Sequence, residues 1–292
     1  NGSSAASSLM KGATGLTLAK TNEGGYLMGG YSTDYIGGDK TNNYIGQLDF
    51  WVVKADANGT KLWDKTFGGS GWDRILSIVD GSNGECFLVG DTTSPQGHDV
   101  SEPQFTDASN NTSTSSDIWI VKIDENGTKL WDKRYGGSNF DSPSNAISTL
   151  DGGILFTAST SSTDGNVTAT GNGNWIVRLD GNGSILWNHR ISLSSGHPIL
   201  SNDENSILIG GGASSIDGEL DALLVKMDLN GSIIWEKTYG GNGSDYIVDI
   251  ATRQPNGYML KALSESPASG DKSEGGIYRK SMSLSNNYRY SE

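Results

Sequence analysis

The chain has one cysteine and six prolines in 292 residues, and no apolar run reaches the roughly 18 residues that a membrane-spanning helix needs. Each shortage excludes something. A lone thiol, Cys86 in the run ECFLVG, closes no disulfide within the chain, so disulfides do not hold the fold. Basic residues are outnumbered, 21 Lys and Arg against 34 Asp and Glu, giving a formal charge of −13. A nucleic-acid partner would require clustered Lys and Arg to displace counterions from its phosphates, and is excluded. The acidity is expected to be that of a solvated surface in a secreted protein. The opening NGSSAASSLMKG has no basic region followed by an apolar stretch, so an exported protein would be represented here in processed form.

Catalytic signatures are equally scarce. His98, His189 and His197 have no metal-ligand spacing, and neither a GxSxG elbow nor a phosphate-binding glycine loop with its Lys occurs. No cofactor is expected, and no motif supports a bound Ca2+. An acid/base pair drawn from loop carboxylates stays open, because sequence does not show which of them come within range.

Glycine is plentiful, at 41 residues, while the apolar fraction is only 34% and the aromatics include 8 Trp and 11 Tyr. Many tight turns around an aromatic-rich core are implied. The stretch DFWVVKADANGTKLWDKTFGG, Asp49–Gly69, returns as DIWIVKIDENGTKLWDKRYGG at Asp117–Gly137, NWIVRLDGNGSILWNHR at Asn174–Arg190 and DALLVKMDLNGSIIWEKTYGG at Asp221–Gly241. Each copy reads as a strand, a turn and a strand. Before each lie two shorter apolar runs joined by a turn, such as RILSIV, DGSNG and CFLVG, and then a polar insert.

Five units of four strands account for the chain, at approximately 1–69, 70–137, 138–190, 191–241 and 242–292. Such a repeat predicts an all-β, five-bladed β-propeller forming a single domain, since one four-stranded sheet cannot bury both of its faces alone. The last unit departs from the pattern: Ile277–Glu292 lacks both the WVVK run and the DxNG turn.

The four DxNG segments are too short for EF-hand loops, which spread their oxygen ligands over about twelve residues. They are expected to be hairpin turns in which Asn-Gly supplies positive φ and Asp caps. Their overlap with N-x-Ser/Thr needs no glycan. Trp63, Trp131, Trp187 and Trp235 form one column, and Trp51, Trp119 and Trp175 another, completed by Leu223. Recurrence in every repeat favours packing over a sugar platform. Trp72, outside both columns, is the better candidate for a ligand contact.

FGGSGWD, YGGSNFD and YGGNGSD link successive units, and Asp73, Asp141 and Asp245 close them at equivalent places. They are expected to cap these turns or to focus a negative field at one mouth of the ring, where a cation could rest. Meander topology puts the DGG and DxNG turns on one smooth face. The other face takes the inserts Tyr31–Leu48, Asp91–Ser116, Ser159–Gly173, Ala213–Leu220 and Ser264–Gly276. Loops on a rigid scaffold are where function is expected, and the longest carries His98, Asp99, Glu102, Gln104 and Phe105.

The DGGY-type strands, DxWVVKLDxNG-type hairpins and WxKxYGGSxxD crossings, carried by Gly24–Tyr26, Asp49–Gly69, Asp117–Asp141 and Asp221–Asp245, resemble the repetitive propeller regions of secreted and surface proteins of Bacteroidetes. In those proteins a type IX sorting domain often follows. The DxNGxxxW run is also similar, in part, to the quinoprotein-like propeller repeats that include outer-membrane assembly scaffolds. The resemblance implies an extracytoplasmic location at the cell surface or outer membrane. The resulting expectation is a non-enzymatic interaction module that binds a protein partner through the insert face. The second expectation is a carbohydrate-binding or carbohydrate-cleaving propeller that uses Trp72 and insert carboxylates.

Overall fold

Each repeat folds as its period-2 patterning demands. The structure, a computed structural model, describes residues 10, 13–33, 36–106, 115–193, 197–200, 205–214, 218–253 and 257–271. It resolves into two compact units, Asn1–Ile191 and Ser192–Glu292, divided where the third repeat meets the fourth.

The first unit holds three antiparallel meanders. The first sheet is β1 (Thr14–Lys20), β2 (Tyr26–Ser32), β3 (Asp49–Ala55) and β4 (Lys61–Phe67), and the second is β5 (Asp73–Asp80), β6 (Cys86–Thr92), β7 (Asp117–Ile123) and β8 (Lys129–Tyr135). The third is β9 (Asp141–Ser148), β10 (Ile154–Thr160), β11 (Asn174–Leu179) and β12 (Ile185–Ile191). In the second unit β13 (His197–Leu200), β14 (Ser206–Ser214), β15 (Leu220–Asp228) and β16 (Ile233–Tyr239) form one sheet, while β17 (Asp245–Arg253) pairs with β18 (Gly257–Ser264). The fold is therefore all-β, of the β-propeller class. The expected outer hairpin at Ile277–Glu292 lies outside the described residues, and the five-blade count remains an expectation.

Alternation explains why the middle strands are apolar throughout. In the second sheet Phe87, Val89, Ile118 and Ile120 pack against Phe156, Trp175 and Val177 of the third. The intervening Cys86, Leu88, Trp119 and Val121 pack against Leu27, Phe50 and Val52 of the first. Both faces are covered, so neither parity can be polar. Phe50 and Trp119 meet at 4.9 Å between ring centroids. Lys54 Nζ donates to the Glu125 carbonyl across this joint at 3.1 Å, and Lys122 Nζ repeats the contact one sheet later, on Gly181 at 3.1 Å.

The first strands of three sheets carry a bulge. Leu76 in β5, Ser144 in β9 and Val248 in β17 are skipped by the pairing. The bulge in β9 directly follows Pro143, which has no amide hydrogen to give to the ladder.

The DxNG turns correct one expectation. Only their glycines take positive φ, +82° at Gly59 and +75° at Gly127 for example, and Asn58 and Asn126 are not among the positive-φ residues. Gly59 N donates to the Asp56 carbonyl at 3.0 Å and Asp56 N to the Thr60 carbonyl at 2.9 Å, the pattern of a three-residue loop closed by a left-handed glycine. Asp56 Oδ1 caps the Asn58 and Thr60 amides at 2.9 and 2.8 Å, as expected.

Candidate functional site

On the insert face of the first unit a repeated clasp comes first. Trp51 Nε1 donates to Asp64 Oδ2 at 3.1 Å, Trp119 Nε1 to Asp132 Oδ2 at 3.0 Å, and Trp175 Nε1 to Asn188 Oδ1 at 3.0 Å. The same acceptors hold the inserts. Thr41 gives Asp64 its amide and hydroxyl at 2.9 and 2.6 Å, and Ser101 does the same for Asp132 at 2.8 and 2.5 Å. Burial alone would raise the Asp64 carboxyl, but donors from Lys61, Thr41 and Trp51 outweigh it and hold it at about 2. The sequence carries a signal for it: the residue after each outer Trp is Asp64, Asp132, Asn188 or Glu236.

The insert expected to carry function is largely occupied in bracing. The Asp99 amide donates to the Gly68 carbonyl at 3.1 Å, and its Oδ2 accepts from Gly68 N at 3.2 Å. Burial raises the Asp99 carboxyl against that hydrogen bond. Glu102 Oε2 takes the Arg134 amide at 2.8 Å, and the Phe105 backbone donates to Asp117. His98 alone of this set is exposed, in a tight turn at φ +52°. The inserts therefore act partly as straps, and Asp271 N repeats the contact of Asp99 by donating to the Gly240 carbonyl at 3.0 Å.

Asp73, Asp141 and Asp245 do not face solvent. All three are buried. Asp73 Oδ2 accepts from Gly69 N at 2.8 Å and Ser94 Oγ at 2.9 Å, Asp141 Oδ2 from Gly137 N and Ser162 Oγ at the same distances, and Asp245 Oδ2 from Gly241 N at 3.0 Å and Ser266 Oγ at 2.6 Å. Capping of the crossing is what these contacts accomplish. The sharper expectation, a field-focusing ring at an open mouth, is corrected on this point, because an oxygen spent on backbone amides in a water-excluded site cannot face a channel. Beside each in the first unit lies a second buried carboxylate, Asp49 or Asp117. Asp117 pairs with Arg134 at 2.7 Å, with neither side chain appreciably exposed. Burial pushes Asp73 and Asp117 up to about 6, against the hydrogen bonds each receives, with Asp49 and Asp141 respectively adding to the rise.

Exposed aromatics mark the crossings. Trp72 is 51% accessible, and Phe140, at the equivalent place one sheet on, 46%. Trp72 Nε1 is held by Gln47 Oε1. Two residues after Trp72, Arg74 makes a two-point contact with Asp91, at 2.9 Å from Nε and 2.7 Å from the terminal nitrogen. Ser142, two residues after Phe140, donates to the same carboxylate at 2.9 Å. A polar network thus runs between the two aromatic crossings.

The opposite face is not smooth. A cavity of about 340 Å³ opens among the tight turns of the first unit, lined by Asn22, Asp80, Ser82, Ser148, Thr149 and Gly152 among others. Near it, burial pushes the Cys86 thiol up to about 11, with Asp80 adding to the rise, so this cysteine is an inert core group. Among the described residues no group of three or more His, Cys, Asp or Glu side chains could hold a metal ion. No helix of the described residues is long and apolar enough to cross a membrane.

No family model and no curated protein matches the chain. Among solved structures it is similar to Synechocystis apocarotenoid oxygenase, at 12% identity and a TM-score of 0.45, over 86% of this chain and 56% of that one. It is also similar to hydrazine synthase of Kuenenia stuttgartiensis, at 10% and 0.45 over 82% and 69%, and to a gluconolactonase of Xanthomonas campestris, at 11% and 0.42 over 91% and 87%. The chain spans just over half the length of the oxygenase. All three are enzymes, against the expectation of a non-enzymatic interaction module, which is not taken further. At these identities the likeness concerns the fold, and no substrate or cofactor is carried over.

Proposed function

We propose that the first unit is the carbohydrate-binding part of a carbohydrate-active propeller, with the sugar lying against Trp72 and Phe140. The observation that carries this reading is the pair of half-exposed aromatic rings at equivalent crossings with the Arg74–Asp91–Ser142 network between them. Singly scattered exposed aromatics need no explanation. Two that flank a preorganised polar network are different. The C–H face of a pyranose packs on an aromatic ring, whose electron-rich face attracts it, while ring hydroxyls exchange hydrogen bonds with fixed side chains such as Gln47, Arg74 and Ser142. An extracytoplasmic, surface setting fits such a ligand and is supported by the resemblance to Bacteroidetes surface propellers.

A glycan array followed by calorimetry with the best binder tests the reading, with release of reducing ends followed in the same samples. Trp72→Ala is expected to weaken binding by at least about tenfold, equivalent to ~1.4 kcal/mol, and to leave the melting temperature unchanged. A blank array, or binding untouched by both Trp72→Ala and Phe140→Ala but lost on filling the Ser82–Thr149 cavity of the opposite face, would overturn it.

A further inference from the structure

The two buried carboxyl pairs of the first unit present an unusual hydrogen-bond account. In each pair the Oδ2 atoms take donors: Asp49 from the Ile45 and Gly46 amides, Asp73 from Gly69 and Ser94, Asp117 from Arg134, and Asp141 from Gly137 and Ser162. The Oδ1 atoms of all four are buried from water and meet no donor at hydrogen-bond geometry, although Thr92, the Phe105 amide and Thr160 also favour the charged forms of Asp73, Asp117 and Asp141. Asp49 and Asp73 approach each other across Gly68, and Asp141 lies near enough to Asp117 to raise it by its charge. A methyl placed on Gly68 would lie 2.1 Å from Asp49 Oδ1 and 2.9 Å from Asp73 Oδ2. Each site therefore holds two buried acceptor atoms without a well-aligned donor, an arrangement that opposes folding.

The surroundings bring donors and charges of both signs. Around Asp49 and Asp73 stand Lys40 and Asp99 from the inserts and the Thr92 and Ser94 hydroxyls at the end of β6. Around Asp117 and Asp141 stand Arg134 from β8, the Phe105 amide, Thr160 and Ser162 at the end of β10, and Asp164 from the third insert. Among these, Lys40 and Arg134 are the cations. One positive group beside three carboxylates, the pair together with Asp99 or Asp164, leaves each site with surplus negative charge.

The third repeat supplies an internal comparison. Asn174 occupies the place of Asp49 and Asp117, and the sequence that follows its hairpin, ISLSSGHPIL, has neither the Gly-Gly nor the closing Asp. Where one acid of the pair is missing, so is the other. The fourth repeat restores both, as Asp221 and Asp245 around Gly240, with a methyl on that glycine 2.3 and 3.0 Å from their oxygens. The acids come as a couple, which an independent capping role for each does not explain.

We propose that each pair, Asp49 with Asp73 and Asp117 with Asp141, takes up one proton from mildly acidic solution and that this proton latches neighbouring sheets of the first unit together. Protonation converts one orphaned acceptor into an O–H donor and reduces the surplus negative charge. No other bond changes. The sign follows from linkage: a carboxyl whose folded pKa of about 6 for Asp73 and Asp117 exceeds its unfolded value of 3.8 stabilises most below the unfolded value. That stability is lost as pH rises through about 6. Carboxyls held low, such as Asp64, act below pH 4 and do not contribute in this window.

The test is thermal unfolding of the full chain at pH 5 and pH 8, for the wild type and Asp49→Asn. The amide keeps an acceptor for the Ile45 and Gly46 amides and offers a permanent N–H in place of the proton. The wild type is expected to melt roughly 5 °C lower at pH 8 than at pH 5. In Asp49→Asn about half of that difference should vanish, and the variant should melt above the wild type at pH 8. A variant that keeps the full pH difference, or melts below the wild type at both pH values, overturns the proposal. If the variant does not fold, carbon-13 titration of the wild-type aspartates decides. Carboxyls with midpoints near 6 support the latch, and midpoints all below about 4.5 overturn it. Stabilisation of the wild type at pH 8 by millimolar Ca2+, absent in Asp49→Asn, would also overturn it, by showing a cation where we place a proton.

Discussion

The sheets of the first unit and the complete sheet of the second are built on one repeat yet are closed differently. In the first unit β3, β7 and β11 are buried at every position. In the second, β15 is buried only through its middle and β16 is exposed at all but one of its positions. The change tracks two substitutions. Leu223 stands where Trp51, Trp119 and Trp175 stand, and Glu236 where Asp64 and Asp132 stand. A leucine fills space but gives no N–H, so the side-chain bond that draws the outer strand onto the core is gone. Among the described residues β16 lacks two things that β4 and β8 have, the clasp and the hairpin of a following sheet that meets Trp63 and Tyr135.

The comparison can be broken most severely by copying the second unit into the first. Trp119→Leu should destabilise the chain by roughly 3 kcal/mol, through lost volume and an orphaned Asp132. Urea denaturation measures this, and a loss under ~1 kcal/mol would show that the indole N–H contributes little. Removing the acceptor instead, by Asp132→Ala, should cost about 2 kcal/mol, because Ser101 and Trp119 both lose their partner. It should also flatten the acid limb of the stability curve. Asp132 lies below its ordinary value, with burial opposed by Ser101 and Lys129, so its stabilisation is present above pH 4 and lost as pH falls through the lowered folded value. An unchanged acid limb would assign that limb to other carboxyls. The smallest effect is the reverse graft: Leu223→Trp with Glu236→Asp should gain at most about 1 kcal/mol and lower the hydrogen-exchange rates of β16. Unaltered exchange there would mean that the clasp needs its insert strap as well.

Much of the architecture could be read from residue order. The hairpin Asp49–Gly69 and its copies gave the meander, since alternation has a period of two and turns announce themselves by Gly. The DxNG turn was placed correctly, but its geometry was misassigned. Asn-Gly also fits a loop in which only glycine is left-handed, and the distinction lies in how the flanking residues pair, which one strand alone does not reveal. The inserts look like the variable part of the repeat, and their unequal length conceals a shared pattern. Gly37-Gly38-Asp39-Lys40-Thr41 and Gly97-His98-Asp99-Val100-Ser101 are variants of one strap, hidden in polar segments of unequal length. Their meaning depends on Asp64 and Asp132, acceptors 23 and 31 residues further on. Trp72 stands out in the sequence because it breaks the columns, whereas Phe140 does not, being the same position under a different residue name.

The contacts of Lys54 with Glu125 and of Lys122 with Gly181 have a consequence for how such a chain can change in length. Each lysine reaches forward to the turn of the following sheet. The joint is directional, with unlike surfaces on its two sides, so a copy of one repeat inserted in frame brings both halves of the connection with it. A gene for this protein can gain or lose whole sheets by unequal recombination without designing a new interface. The same rule sets a boundary on breakpoints: a cut between Lys54 and the Glu125 turn separates a donor from its acceptor, whereas a cut at the same phase in two repeats restores every pair.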